Sequence, residues 1–185
     1  MDNIPHFVIM GVAGCGKSSV GTALAEQLGL TYLDGDHLHS AENIAKMSVG
    51  EPLTDTDRAP WLRKIGQRFA VSNTSLIIGC SALRRVYRDW IRQYANTEVI
   101  FVHLAGTREV IKQRMAAREG HFMPIKLLDS QFAALEPLQS DEASIVIDVD
   151  QSFEHVVNDA LSKIKTHGLR GYSPFCKAAL VERLP

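Results

Sequence analysis

The stretch Gly11-Val12-Ala13-Gly14-Cys15-Gly16-Lys17-Ser18 decides the fold of this chain, because it matches the pattern G-x-x-x-x-G-K-[ST] in full. The short apolar run 7–10 precedes it, and the segment 17–28, with apolar residues at helical spacing, follows it. This strand–loop–helix context is the one that a phosphate-binding loop requires. Glycines let consecutive backbone N–H groups turn into one concavity, and the helix start adds the positive end of its dipole. The stretch therefore predicts a nucleotide-binding site.

Each position of this loop has a predicted role. We expect Lys17 to reach the β- and γ-phosphates of ATP and Ser18 to offer its hydroxyl to Mg²⁺. Cys15 is interpreted as a small spacer rather than a nucleophile, because no His or second Cys lies near it in sequence. The predicted nucleotide-binding residues are Gly11, Val12, Ala13, Gly14, Cys15, Gly16, Lys17, Ser18 and Ser19.

Outward from the loop, short apolar runs alternate with longer helical patterns. The predicted strands are 7–10, 31–33, 76–78, 99–102 and 145–147, and the predicted helices are 17–28, 40–49, 57–72, 83–95, 107–118, 125–134 and 152–166. This alternation is typical of an α/β protein, in which helices cover both faces of a parallel sheet. We expect a three-layer P-loop kinase fold in one domain, 1–168, with a small lid at about 119–126. The last stretch, 169–185, is interpreted as an appended tail that could be mobile.

Composition limits the classes of function. The chain has 185 residues, and its 20 Lys and Arg against 21 Asp and Glu give a formal net charge of -1. This balance argues against a general attraction to nucleic acid. The three cysteines (Cys15, Cys80 and Cys176) form no C-x-x-C pair, which argues against a zinc site or a disulfide framework. The start lacks a signal-peptide pattern and no apolar run approaches the ~20 residues of a membrane span. We expect a cytoplasmic protein without membrane contact.

A pair of carboxylates follows the second predicted strand, in Asp34-Gly35-Asp36-His37. In an open parallel sheet the carboxyl ends of the strands line the ligand crevice. We expect Asp36 to accept the proton of an attacking hydroxyl and Asp34 to belong to the Mg²⁺ shell. The alternative is a plain turn made of Asp and Gly.

Other polar residues are candidates for binding the acceptor. Ser81 and Arg84 follow the third strand, where a hydroxyl and a guanidinium suit a polar, anionic substrate. Arg58 lies near a helix start, and either a substrate carboxylate or a surface ion pair would explain it. Arg85 fits a solvated helix face. Arg118, beside the predicted lid, is our candidate for neutralising the transferred phosphoryl group.

These segments, in this order, resemble the gluconate kinases (gluconokinases) of the nucleoside-monophosphate-kinase-like P-loop group, relatives of shikimate kinase. The resemblance runs from about Phe7 to Leu161. Its blocks are Gly11–Ser18, Leu33–His39, Asn43–Met47, Gly50–Leu62, Cys80–Arg84, Gly120–Phe122 and Ser130–Glu136. The phosphate loop alone would be generic, whereas Gly50–Leu62 is far more specific. Ala13 and Cys15 depart from serines that are frequent in the family, and Arg84 departs from a frequent Lys.

The resemblance implies direct transfer of a phosphoryl group from ATP to D-gluconate, with Mg²⁺ as cofactor. It also implies a mobile lid over ATP and a homodimer, and it supports Asp36 as a substrate-binding base. The predicted gluconate-binding residues are Asp36, His37, Arg58, Ser81 and Arg84. Three rivals stay open at this stage. They are a kinase for another acid such as shikimate, a nucleotide-dependent switch (although the chain lacks its Asn-Lys-x-Asp segment), and an ATPase that acts on nucleic acid.

Overall fold

The computed structural model describes residues 5–116 and 125–168, in which five strands alternate with seven α-helices. The strands are β1 (His6–Met10), β2 (Thr31–Asp34), β3 (Leu76–Gly79), β4 (Val99–Ala105) and β5 (Ser144–Asp148). The helices are α1 (Lys17–Leu28), α2 (Ala41–Ser48), α3 (Asp55–Ala70), α4 (Arg85–Ala95), α5 (Arg108–Ala116), α6 (Ile125–Ala134) and α7 (Phe153–Lys163). A 3-10 helix, Gly35–Leu38, follows β2, and a π-helical turn, Ile164–Gly168, follows α7.

The five strands form one sheet in the order β2-β3-β1-β4-β5, and every pairing is parallel. The α/β fold predicted from the phosphate loop and the alternation is therefore confirmed. Because the strands are parallel, their carboxyl ends lie along one edge, with the end of β1 in the middle. That end carries the phosphate loop, and β3 separates it from the end of β2.

The core lies in two layers, one on each face of the sheet. Residues of β1 alternate between them, with Phe7 and Ile9 in one layer and Val8 and Met10 in the other. All four are fully buried, as expected of a central parallel strand covered on both faces. Helices α1 and α7 cover the first face, and α3 and α4 pack against each other on the second.

Two predicted helix ends are settled by the structure. Gly29 ends α1 with φ 65°, in the left-handed region that favours glycine. Thr54 is the N-cap of α3. Its side chain accepts from the Asp57 N–H, while the Asp57 carboxylate accepts from the Thr54 N–H. This reciprocal capping box fixes the start of the helix that carries Arg58 and Trp61.

Several predictions fall outside the described residues. They are Arg118, the tail 169–185 and the lid as far as residue 124. Within the described ranges, no helix combines the length and the apolar character needed to cross a membrane.

Candidate active site

The phosphate loop has the backbone geometry that its glycines permit. Gly11, Gly14 and Gly16 have φ of 139°, 80° and 102°, values that side chains with a Cβ rarely adopt. Gly16 is the N-cap of α1, and no side chain caps that end. The N–H groups of the first turn, which includes Ser18 and Ser19, therefore face the loop without a side-chain acceptor. This is the geometry of an anion-binding site.

Lys17 folds back over the first half of the loop. Its Nζ donates to the backbone oxygens of Gly11 at 3.1 Å and Val12 at 3.0 Å. The ammonium therefore lies beside the peptides that open the loop. Cys15 is fully buried, and burial raises the pKa of its thiol, which keeps it protonated and unreactive. Its predicted role as a spacer fits this environment.

The end of β2 brings Asp34 to the loop. Oδ2 of Asp34 lies 3.5 Å from the Ser18 hydroxyl, and its Oδ1 accepts from the Asp36 N–H at 3.0 Å. A hydroxyl and a carboxylate are the oxygen ligands that Mg²⁺ prefers. Asp36 and His37 follow in the 3-10 helix, and both are exposed. Asp34 is thus partly buried beside the loop, whereas Asp36 is exposed on the turn that follows.

The turn between these two aspartates is held from two sides. A Cβ on Gly35 would lie 2.4 Å from the backbone oxygen of Gly79 at the end of β3. On the other side, the indole Nε1 of Trp61 donates to the Gly35 oxygen at 2.7 Å in a buried hydrogen bond. A plain surface turn of Asp and Gly needs neither contact. The structure thus couples the carboxylate pair to β3 and α3.

His39 is a neighbour of Asp36 that sequence reasoning left without a role. Its ring stacks on Trp61 with centroids 4.0 Å apart, and its Nδ1 lies 3.3 Å from Nδ2 of Asn43. The same atom of Asn43 lies 2.9 Å from the backbone oxygen of Asp57, which can only accept, so this atom must be the amide nitrogen, Nδ2. Nδ1 of His39 therefore accepts a hydrogen bond from Nδ2 of Asn43. The remaining proton of the ring therefore sits on Nε2, 3.9 Å from the Asp36 carboxylate. Burial lowers the pKa of His39 and favours this neutral form.

The Asp36 side chain is 76% exposed, yet its surroundings favour its protonated form. Loss of hydration in the crevice and the negative charge of Asp34 raise the pKa of Asp36. A carboxylate with a raised pKa at the edge of a crevice is a better proton acceptor than an ordinary surface aspartate.

The two candidate arginines have different partners. Nη1 of Arg58 donates to the backbone oxygen of Leu53, and its guanidinium lies 5.7 Å from the centre of the Tyr87 ring. The surface ion pair considered for Arg58 is not formed with any residue in 5–116 or 125–168. Arg84 binds the carboxylates of Asp55 and, at 3.5 Å, Glu136. Arg58 is thus free of carboxylate partners within the described chain, and Arg84 is not.

The segment after β3 lies next to the phosphate loop. The backbone oxygen of Ser81 accepts from the Gly11 N–H at 3.3 Å, which places Ser81 beside the loop. Arg85, interpreted as a solvated residue, pairs with Asp89 and Asp141 at 2.9 and 2.8 Å. Its side chain remains 26% exposed, so Arg85 lies on a partly solvated face where α4 meets the segment that precedes β5.

A buried ion pair fixes this segment, and no sequence signal pointed to it. Nε of Arg88 donates to Glu142 at 2.7 Å, and both side chains are 0% exposed. Nη1 of Arg88 also donates to the oxygens of Ala82 and Leu83 at 3.2 and 3.1 Å. These contacts hold the turn between Ser81 and α4. The pairing joins residues 54 positions apart, so only the folded chain reveals it.

A depression of about 350 Å³ opens beside the end of β5. It is lined by Val110, Gln113, Arg114, Val149, Asp150 and Gln151. The Arg114 guanidinium donates to the Gln151 oxygen at 2.9 Å, which ties α5 to the loop after β5. The depression lies at the turn that follows β5, with Asp150 and Gln151 on its wall.

The comparisons with known proteins agree with this geometry. The family model described as Shikimate kinase matches residues 13–165. The Thermoresistant gluconokinase of Escherichia coli (strain K12) is 44% identical over 163 residues, covering 86% of this chain and 93% of that protein. The Gluconokinase of Gluconobacter oxydans (strain 621H) is 40% identical, covering 85% and 90%.

Solved structures give the same picture. A gluconokinase from Sinorhizobium meliloti 1021 superposes with a TM-score of 0.83 at 44% identity, covering 90% of this chain and 94% of that chain. A shikimate kinase from Acinetobacter baumannii, with a TM-score of 0.54 and 16% identity, shares the fold alone. With a phosphate loop, a carboxylate pair at the end of β2 and these relatives, the chain belongs to the gluconokinase family of ATP-dependent small-molecule kinases, within the wider shikimate kinase family.

Proposed function

We propose that this chain transfers the γ-phosphoryl group of ATP to D-gluconate, giving 6-phospho-D-gluconate and ADP. The observation that carries the proposal is the similarity to gluconokinases along nearly the whole chain. The carboxylate pair beside the phosphate loop supports it, because a kinase for a hydroxyl acceptor needs both a phosphate site and a proton acceptor.

Residues 11–19 are proposed to bind the phosphates of ATP. Lys17, already positioned over the peptides that open the loop, would exchange its two backbone partners for phosphate oxygens. Its charge would then offset the charge that develops on the transferred group. Arg118 is also proposed to neutralise charge on the transferred phosphoryl group.

Ser18 and Asp34 are proposed to hold Mg²⁺, which supplies positive charge next to the phosphates when bound. Their oxygens lie 3.5 Å apart and fit a hard cation. Mg²⁺ usually takes only one or two protein ligands besides water and phosphate. The described residues contain no group of three or more His, Cys, Asp or Glu side chains placed to hold a metal, which agrees with such a shared site.

Asp36 is the proposed general base. It would accept the proton of the primary hydroxyl of gluconate as the oxygen attacks the γ-phosphorus. The raised pKa of Asp36 increases its basicity. No covalent enzyme intermediate is required.

Gluconate carries one carboxylate and a row of hydroxyls, and the proposed site offers partners for both. Arg58 is the stronger candidate for the carboxylate, because its described contacts are a backbone oxygen and an aromatic ring. Arg84 would first have to release Asp55 or Glu136. Ser81 and His37 are the proposed hydroxyl partners. Arg84 then serves best as a support for the start of α3, through Asp55.

The remaining expectations extend this proposal. They are a single domain over 1–168 with a lid near 119–126, a homodimer, a cytoplasmic location, and no nucleic-acid or membrane partner. A cytoplasmic gluconate kinase would connect sugar-acid oxidation to pathways of phosphorylated sugar acids such as the pentose phosphate route.

An acceptor panel tests the proposal. ADP release from ATP and Mg²⁺ is measured with gluconate, shikimate, glycerate and AMP, each at the same concentration. Turnover confined to gluconate is the expected result. Turnover with shikimate instead of gluconate would agree with a small-molecule kinase but reject gluconate as the substrate. ATP hydrolysis at a rate that no acceptor changes would reject the phosphotransferase function.

A further inference from the structure

The side chain of Gln131 links helix α6 to the phosphate loop by a hydrogen bond. Its Oε1 accepts from the Ala13 N–H at 2.6 Å, a contact that joins residues 118 positions apart. Gln131 lies in the Ser130–Glu136 block, and none of the roles assigned above uses it. We infer that Gln131 is a nucleotide-sensing residue that donates a hydrogen bond to the terminal phosphate of ATP while it holds the Ala13 peptide.

The chemistry of the amide supports this inference. A backbone N–H can only donate, so the atom that faces Ala13 is the amide oxygen, and the nitrogen takes the other position. Within 5–116 and 125–168, the Nε2 of Gln131 makes no hydrogen bond. It therefore has two N–H donors to offer at the rim of an anion-binding loop. A donor to a charged phosphate oxygen forms a stronger bond than a donor to water or to a neutral group.

The position within the loop indicates which phosphate is involved. Lys17 binds the oxygens of Gly11 and Val12, so its ammonium and the Gln131 amide both attach to the opening half of the loop. The lysine of such a loop reaches the β- and γ-phosphates. A side chain beside it, on a separate helix, is placed to contact the outer, γ-phosphate. ADP lacks that group and would not gain this contact.

The inference rests on nucleotide binding in the proposed function but not on the identity of the acceptor. Its test is therefore made without any acceptor, by calorimetric titration of ADP and of a non-hydrolysable ATP analogue, each with Mg²⁺. Gln131→Met removes both the acceptor and the donors at nearly equal volume. Gln131→Glu keeps an acceptor for the Ala13 N–H and replaces the donors by a negative charge.

We expect both variants to bind the ATP analogue at least about tenfold more weakly, with a change for ADP of less than about threefold. Gln131→Glu should keep the melting temperature of the wild type, because the Ala13 N–H retains an acceptor. Gln27→Glu is the matched control. It makes the same change at an exposed position near the far end of α1 and should alter neither affinity.

Other outcomes separate the possible failures. If Gln131→Met weakens ADP and the ATP analogue equally, Gln131 only supports the loop and the inference is wrong. Unchanged affinity of both Gln131 variants for the analogue would also overturn it. If the wild-type chain binds neither nucleotide, the proposed kinase function itself fails.

Discussion

Replacing Gly35 by Ala should damage catalysis more than stability. The new Cβ would lie 2.4 Å from the Gly79 oxygen, whereas an ordinary contact begins near 3.4 Å, so the chain must shift by about 1 Å. Gly79 pairs with Asp34 in the sheet and cannot move alone. The shift therefore falls on the turn that carries Asp34 and Asp36. We expect a loss of about 1–3 kcal/mol in the free energy of unfolding, typical of overpacking. We also expect a fall of about 100-fold in kcat, because catalysis is sensitive to displacements of about 1 Å.

The assay combines urea unfolding with gluconate-dependent ADP release. Gly66→Ala is the matched control, because its Cβ would lie 2.6 Å from the Ile91 oxygen, between α3 and α4. It meets a similar backbone clash away from the two aspartates, and better helix propensity offsets about 1 kcal/mol of its cost. This control should be destabilised with kcat near that of the wild type. Equal effects of both variants on kcat, or an active Gly35→Ala, would refute the reasoning.

Three further predictions concern charged groups. Asp36→Asn should lose activity but unfold at the same or a higher temperature than the wild type at pH 7. The reason is that a carboxyl group whose pKa is raised in the folded state destabilises that state once it ionises. A clear drop in the melting temperature would contradict this. Arg88→Met should lower the free energy of unfolding, measured in urea, by about 3–5 kcal/mol, since it leaves the Glu142 charge buried without its partner. Adding Glu142→Gln to the same chain should recover part of the loss. A cost below about 1 kcal/mol would show that the pair is not isolated from water. Hydrogen bonds from the Thr54 backbone, then Lys46, lower the pKa of Asp57 to about 2. The stability that Asp57 contributes is therefore present above its unfolded pKa near 4 and is lost as the pH falls from about 4 to 2. The melting temperature of Asp57→Asn should thus depend less on pH in that window than the melting temperature of the wild type. The same pH dependence in both proteins would contradict the assignment.

The fold was predictable because its signals are local. The loop pattern lies between a buried strand and a helix, and each further strand appears as a short apolar run bounded by turns. Parallel pairing then follows from the alternation of strands and helices. Asp34 lies beside Ser18 for the same reason, because the carboxyl ends of parallel strands lie along one edge of the sheet.

The contacts that could not be predicted from the sequence join distant segments of the chain. Gln131 reaches Ala13, and Arg88 reaches Glu142, only after α4, α6 and the segment before β5 have packed. His39 lies in the block Leu33–His39, but its tautomer depends on Asn43 from the next helix. The partners of Arg85 could not be predicted, because a sequence pattern shows that a helix face is charged, not which acidic residues lie against it.

The central claim is that gluconate is phosphorylated with Asp36 as the base. Its most direct test is kcat/KM for gluconate in the wild type and in Asp36→Asn, with ADP affinity measured on both proteins. The account predicts 6-phosphogluconate as the product of the wild type. It also predicts a loss of about 10²–10⁴ in kcat/KM for the variant at unchanged ADP affinity. A variant that phosphorylates gluconate at the wild-type rate would contradict the role of Asp36, and a wild type that leaves gluconate unphosphorylated would contradict the proposed function.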